Sequence, residues 1–140
     1  MKGNKNVETH LIGVLIGDVS FDFTAELMAG ISDAATDANV QAMFLLGMQK
    51  HSAQSKLEQD KQEALRNNSV YDYAALTGAE VYIIACGSLT SYIGIGQQYK
   101  LLERFRDVPC VVLQDRVLTD AKQKTSITVD NYQSYTQCIE

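Results

Sequence analysis

Three short runs, His10-Leu-Ile-Gly-Val-Leu-Ile-Gly17, Glu80-Val-Tyr-Ile-Ile-Ala-Cys86 and Cys110-Val-Val-Leu-Gln114, are apolar at almost every position. Alternating polarity would mark a strand with one wet face, whereas continuous runs of branched side chains this short mark strands covered on both. Helical patterns separate them. After a loop around residues 18–22, Phe23, Leu27, Ile31, Ala34 and Ala38 form one stripe at helical spacing, with Ser20 or Asp22 placed to cap the helix and Asn39 to stop it. Residues 40–46 return to strand composition, and residues 53–67 read as a polar, charge-mixed helix that continues through Val70, Tyr73, Ala74 and Leu76 to a break at Gly78. Gly87 and Ser88 read as a turn at the end of the strand 80–86. Leu101, Leu102 and Phe105 predict a helix over 99–105, Pro109 marks the start of the next strand, and a final strand is expected over 126–129, after the polar stretch 119–125. Strands alternating with helices imply parallel pairing through right-handed crossovers: an α/β, doubly wound parallel sheet with helices on both faces, flavodoxin-like or Rossmann-like.

At 140 residues and 46% hydrophobic content, one core is the expectation, with residues 1–9 as a tail and residues 10–140 as a single lobe. Acidic residues outnumber basic ones, 17 to 12, and the basic ones form no stripe, which argues against nucleic-acid binding by this segment. Cys86, Cys110 and Cys138 are far apart, with no CxxC and no nearby histidine, and read as small apolar core residues of a reduced protein instead of a metal or disulfide set. No run approaches the roughly 18 apolar residues of a membrane helix, and no signal peptide is visible, so no membrane and a cytoplasmic location are expected.

In a doubly wound sheet, ligands bind beyond the carboxyl ends of the strands, near the point where strand order reverses, which directs attention to the residues just after each strand. Asp115-Arg116 offers paired acceptors beside forked donors, a match for vicinal hydroxyls or a carboxylate, and serves equally as a surface ion pair or turn. Asp130-Asn131 would close the last strand or cap a following helix. Phe21 and Phe23 could stack on a sugar or flat ring, although Phe23 also belongs to the helix stripe. Gly87-Ser88 would allow close backbone approach and one hydroxyl, or form only a tight turn.

Enzyme motifs are incomplete. Cys86 stands at the strand-end position of a thiol phosphatase nucleophile, but Tyr92 occupies the place of the required arginine. Gly94-Ile-Gly96 does not directly follow a strand and lacks a third glycine, Asn131 stands where a receiver domain would need its lysine, and neither His10 nor His51 has a nucleophile partner. No catalytic residue, cofactor or metal is expected.

The order and spacing of five pieces resemble the N-terminal lobe of the lactose-repressor (LacI) and type 1 periplasmic-binding-protein family. They are His10-Leu-Ile-Gly-Val-Leu-Ile-Gly17, Leu27-Met-Ala-Gly-Ile31 with Ala34-Ala35, Glu80-Val-Tyr-Ile-Ile-Ala-Cys-Gly-Ser88, Val108-Pro-Cys-Val-Val-Leu-Gln-Asp-Arg116 and Ile127-Thr-Val-Asp-Asn131. The resemblance implies one wall of a cleft that closes on a sugar or other small metabolite. Phe21, Phe23, Gly87, Ser88, Asp115, Arg116, Asp130 and Asn131 would then face the ligand, and a second lobe would follow residue 140; with the helix face and strand edge meant for that lobe uncovered, the chain is expected to self-associate as a homodimer. No helix-turn-helix fits in the nine residues before His10, and the polar stretch 50–73 is closer to sensor lobes that precede diguanylate cyclase (GGDEF) or histidine kinase modules. The leading expectation is therefore a small-molecule sensor lobe. The alternatives are the effector domain of a LacI-type repressor without its DNA-binding head and a small flavodoxin-like enzyme.

Overall fold

The structure, a computed structural model, describes residues 10–17, 22–47, 66, 69–113 and 124–127, the side chains of residues 90–98 and 124 excepted. Five strands, β1 (Leu11–Ile16), β2 (Gln41–Leu46), β3 (Val81–Ala85), β4 (Cys110–Leu113) and β5 (Lys124–Ile127), form one sheet in the order β2-β1-β3-β4-β5. Every neighbouring pair is parallel. The doubly wound α/β reading is correct, and the last strand begins at Lys124, two residues before its expected start.

Helix α1 (Asp22–Asp37) lies on one face of the sheet, and a 3-10 helix (Ser69–Leu76) and helix α2 (Cys86–Arg104) lie on the other. On the α1 face, Val14, Ile16 and Ala85 are buried beneath the half-buried Leu27, Met28 and Ile31. The opposite face carries the larger cluster, in which Leu15, Ile84 and Val112 of three adjacent strands meet Tyr71 and Ala74 of the 3-10 helix and Leu89, Leu101 and Leu102 of α2. Each strand residue faces one side or the other by the period of two, so the unbroken apolar run of β1 feeds both clusters.

The stripe on α1 is turned from its expected position. Thr24 and Ala35 are its buried residues and Leu27, Met28 and Ile31 its half-buried ones, whereas Phe23, Ala34 and Ala38 are exposed, Phe23 by 53%. The apolar residues alone suggested a stripe centred nearer Phe23. Thr24, small enough to be buried against the sheet, shifts the true centre toward its own side. Asn39 ends the helix as expected, at φ 54°, and the amides of Asn39 and Val40 donate to the carbonyls of Thr36 and Ala35 at 3.0 and 2.9 Å. This left-handed cap satisfies carbonyls that the last turn leaves open and aims the chain directly into β2.

The largest departure from expectation is α2. The strand β3 ends at Ala85 and the helix begins at the next residue, so Gly87 and Ser88 occupy a first helical turn and not a tight turn, and the helix runs for 19 residues where only its last part was expected. Gly87, Gly94 and Gly96 with Thr90 and Ser91 lower its intrinsic helix preference, and packing of its ends, Cys86 and Leu89 at one and Leu101, Leu102 and Phe105 at the other, outweighs that preference. The expected helix over 53–67 and the two phenylalanine and Asp-Asn loops lie largely or wholly outside the described residues. Among the described residues, no helix is long and apolar enough to cross a membrane.

Gly13 and Tyr82 are register partners on β1 and β3, and the Tyr82 ring lies over the glycine. A Cβ on residue 13 would fall 2.4 Å from Tyr82 Cε1. The ring is held from its other end, because its hydroxyl donates to the Ala74 carbonyl at 2.7 Å and its face meets Phe105 at 4.8 Å between centroids. Gly13→Ala is therefore expected to destabilise the fold by about 1–3 kcal/mol, the cost of overpacking a closed core. Urea denaturation measures this, and in combination with Tyr82→Ala the loss should be smaller than the sum of the two single losses.

Candidate functional site

Strand order reverses between β1 and β3: the chain moves from β1 outward to β2, then back across β1 to β3 and on to β4 and β5. Helices that follow strands on either side of such a point lie on opposite faces and leave a crevice between them at the carboxyl edge. Here that point lies between the Ile16-Gly17 end of β1 and the start of α2.

Three side chain or backbone groups converge on that end of β1. The Ile16 carbonyl accepts from the Gly47 amide at 3.0 Å and from the Tyr71 hydroxyl at 2.8 Å. The Gly17 amide donates to Ser88 Oγ at 2.9 Å, and the same hydroxyl donates to the Ala85 carbonyl at 2.7 Å. Ser88 thus ties the end of β1 to the end of β3 across the reversal point. Gly17 is buried, so an unpaired amide there would carry a desolvation penalty that the hydroxyl removes.

Of the residues expected to face a ligand, Gly87 and Ser88 lie at this carboxyl edge, half-buried in the first turn of α2. Ser88 has its donor hydrogen and one acceptor position engaged by the protein, which makes it first a positioning residue for the edge. Phe23 stands exposed on the first turn of α1, and Phe21, Asp115, Arg116, Asp130 and Asn131 lie outside the described residues.

Cys86 is fully buried at the junction of β3 and α2, so the described arrangement gives no solvent path to its thiol as an attacking group. Cys110 is also buried, and its thiol donates to the Val108 carbonyl at 3.2 Å, in keeping with a core role. Among the described residues no cluster of His, Cys, Asp or Glu could hold a metal ion. His10 instead pairs with Glu80 at the opposite, amino edge, where Nδ1 lies 2.9 Å from Oε1 with both side chains more than half exposed, an arrangement that adds little stability.

Sequence reasoning did not find Tyr71. The signal available was its place in the 3-10 helix, where residues three apart eclipse: Tyr71 and Ala74 fall on the buried side, and Tyr73 and Leu76 on the outer one. The chain matches no family model, and no curated protein or solved structure matches it either.

Removing the Ser88 hydroxyl should expose its role. Ser88→Ala leaves the Gly17 amide without its acceptor and is expected to cost about 1–3 kcal/mol. Hydrogen exchange should show the Gly17 amide losing protection more than the amides of Val14 or Ile84.

Proposed function

We propose that this chain is one lobe of a small-molecule sensor domain that closes on a sugar or comparable polar metabolite, like the lobes of the LacI and type 1 periplasmic-binding-protein family it resembles. The observation that carries this reading is the all-parallel order β2-β1-β3-β4-β5, with its reversal between β1 and β3 and the glycine-serine pair Gly87-Ser88 at the reversal. Asp115 and Arg116 follow β4 in the chain, and Asp130 and Asn131 follow β5. In this proposal those four supply paired acceptors and forked donors to ligand hydroxyls above the carboxyl edge, with Phe21 and Phe23 as apolar walls.

A lobe of this kind performs no chemistry. It signals because ligand binds the closed arrangement of two lobes more tightly than the open one, and that difference in affinity biases whatever output domain is attached, a cyclase, a kinase or a DNA-binding head. Fold alone does not fix such a role, and the proposal rests on the residues at the edge together with the resemblance.

The test is isothermal calorimetry of the complete protein against neutral monosaccharides and nucleosides. One of these should bind, and Asp115→Ala and Arg116→Ala should each weaken it by about ten-fold or more, the loss expected for a charged hydrogen bond of roughly 1.5–3 kcal/mol. A ligand whose affinity neither substitution changes would overturn the reading.

Homodimer formation belongs to the same proposal. The outer strand β2 exposes Met43 and Leu46, each by 39%, beside its unpaired backbone edge among the described residues. Light scattering of the 140-residue chain is expected to show self-association at high concentration that Met43→Lys with Leu46→Lys reduces.

A further inference from the structure

A second concavity lies away from the carboxyl edge, between the 3-10 helix and the last turn of α2. It has a volume of about 150 Å³ and is lined by Tyr71, Asp72, Ala75, Ala79, Tyr82, Arg104, Phe105 and Val108. We propose that this pocket binds a free α-amino acid with a compact apolar side chain.

The interior sets the first half of that chemistry. The Tyr71 hydroxyl is directed to the Ile16 carbonyl and the Tyr82 hydroxyl to the Ala74 carbonyl, so the two rings present carbon, with Phe105 and three small aliphatic residues, to whatever enters. A cavity of about 150 Å³ accommodates one benzene ring, which sets the size of the apolar body. The Tyr82 and Phe105 rings form a tilted pair in the lining, 4.8 Å between centroids and 59° between planes, so the wall is aromatic as well as aliphatic.

The rim sets the second half. Asp72 and Arg104 are the charged residues of the lining, and they form an ion pair with both side chains 55% exposed. A cationic head group would meet Arg104 as a like charge, and an anionic one would meet Asp72. A zwitterionic head satisfies both, with its ammonium on the Asp72 carboxylate and its carboxylate on the Arg104 guanidinium, whose five donors can serve two carboxylates at once. An α-amino acid joins that head to an apolar body within one short molecule.

Amide chemical shifts of the 140-residue chain, titrated with L-phenylalanine, 3-phenylpropanoate and 2-phenylethylamine, test the assignment. L-Phenylalanine is expected to shift Ala75, Ala79 and Val108 saturably and to bind about ten-fold more tightly than either singly charged analogue, one ionic hydrogen bond's worth. Asp72→Asn should narrow its advantage over 3-phenylpropanoate and Arg104→Gln its advantage over 2-phenylethylamine. Ala75→Leu, at an exposed position that folding tolerates, should abolish the shifts. The assignment is overturned by the absence of saturable shifts with L-phenylalanine, by an analogue that binds equally well, by retained preferences in the rim variants, or by shifts confined to Gly17, Gly47 and Ser88 at the carboxyl edge. The last result would assign binding to the separate cleft of the proposed sensor.

Discussion

The end of β1 is the point on which the arrangement depends. Within one peptide unit, the Ile16 carbonyl is held by the amide after β2 and by the 3-10 helix, while the next amide, that of Gly17, is held by the first turn of α2. Three elements that are distant in sequence, the separations being 55 residues to Tyr71 and 71 to Ser88, are thereby fixed relative to β1. Apolar burial is non-directional and would permit these elements to slide over the sheet, but a buried carbonyl and amide with defined partners do not. The edge at which parallel α/β sheets bind their ligands is thus fixed by polar contacts before any ligand is considered.

The two faces of the sheet are built differently for a related reason. On the α1 side, a single described helix covers the sheet with medium-sized side chains that remain half-buried. On the other side the 3-10 helix and α2 share the work, and the Tyr82 ring lies against both the 3-10 helix and Phe105, long enough to reach the Ala74 carbonyl while its base stays on β3. That ring has room only because residue 13 of the neighbouring strand has no side chain. Thr77 completes the corner, with its hydroxyl 3.1 Å from that of Tyr82 and donating to the same Ala74 carbonyl at 2.8 Å. Gly78, at φ 73°, then turns the chain into β3.

Much of this was legible in the residues, and the parts that were not have identifiable causes. Apolar runs bounded by Gly, Asn and Pro gave β1, β2, β3 and β4 nearly to the residue, because a buried strand has few other ways to be written. The helix α2 was underread because three glycines and several hydroxyl residues hide its first two-thirds from any propensity argument, leaving only Leu101, Leu102 and Phe105 as a helical signature. The turn assigned to Gly87-Ser88 had the right location and the wrong conformation. The hydroxyl was singled out for a ligand, and its partners turned out to be the protein's own Gly17 amide and Ala85 carbonyl. A hydrogen bond spanning 71 residues leaves no local trace in a sequence, and the same holds for Tyr71 and for the Asp72–Arg104 pair.

The 3-10 helix is the element that contacts both the pocket and the end of β1. Its eight residues exceed the usual length for this conformation, whose hydrogen bonds are poorly aligned, so its position owes more to what it packs against than to its own backbone. Tyr71 lines the pocket with its ring and holds the Ile16 carbonyl with its hydroxyl, so one rigid side chain spans the distance from the pocket to the strand edge. The positions of that ring and of the last peptide of β1 are therefore set by one hydrogen bond, with no other side chain between them. Tyr71 at one position and Asp72 at the next thus anchor the 3-10 helix to the strand edge on one side and to the last turn of α2 on the other.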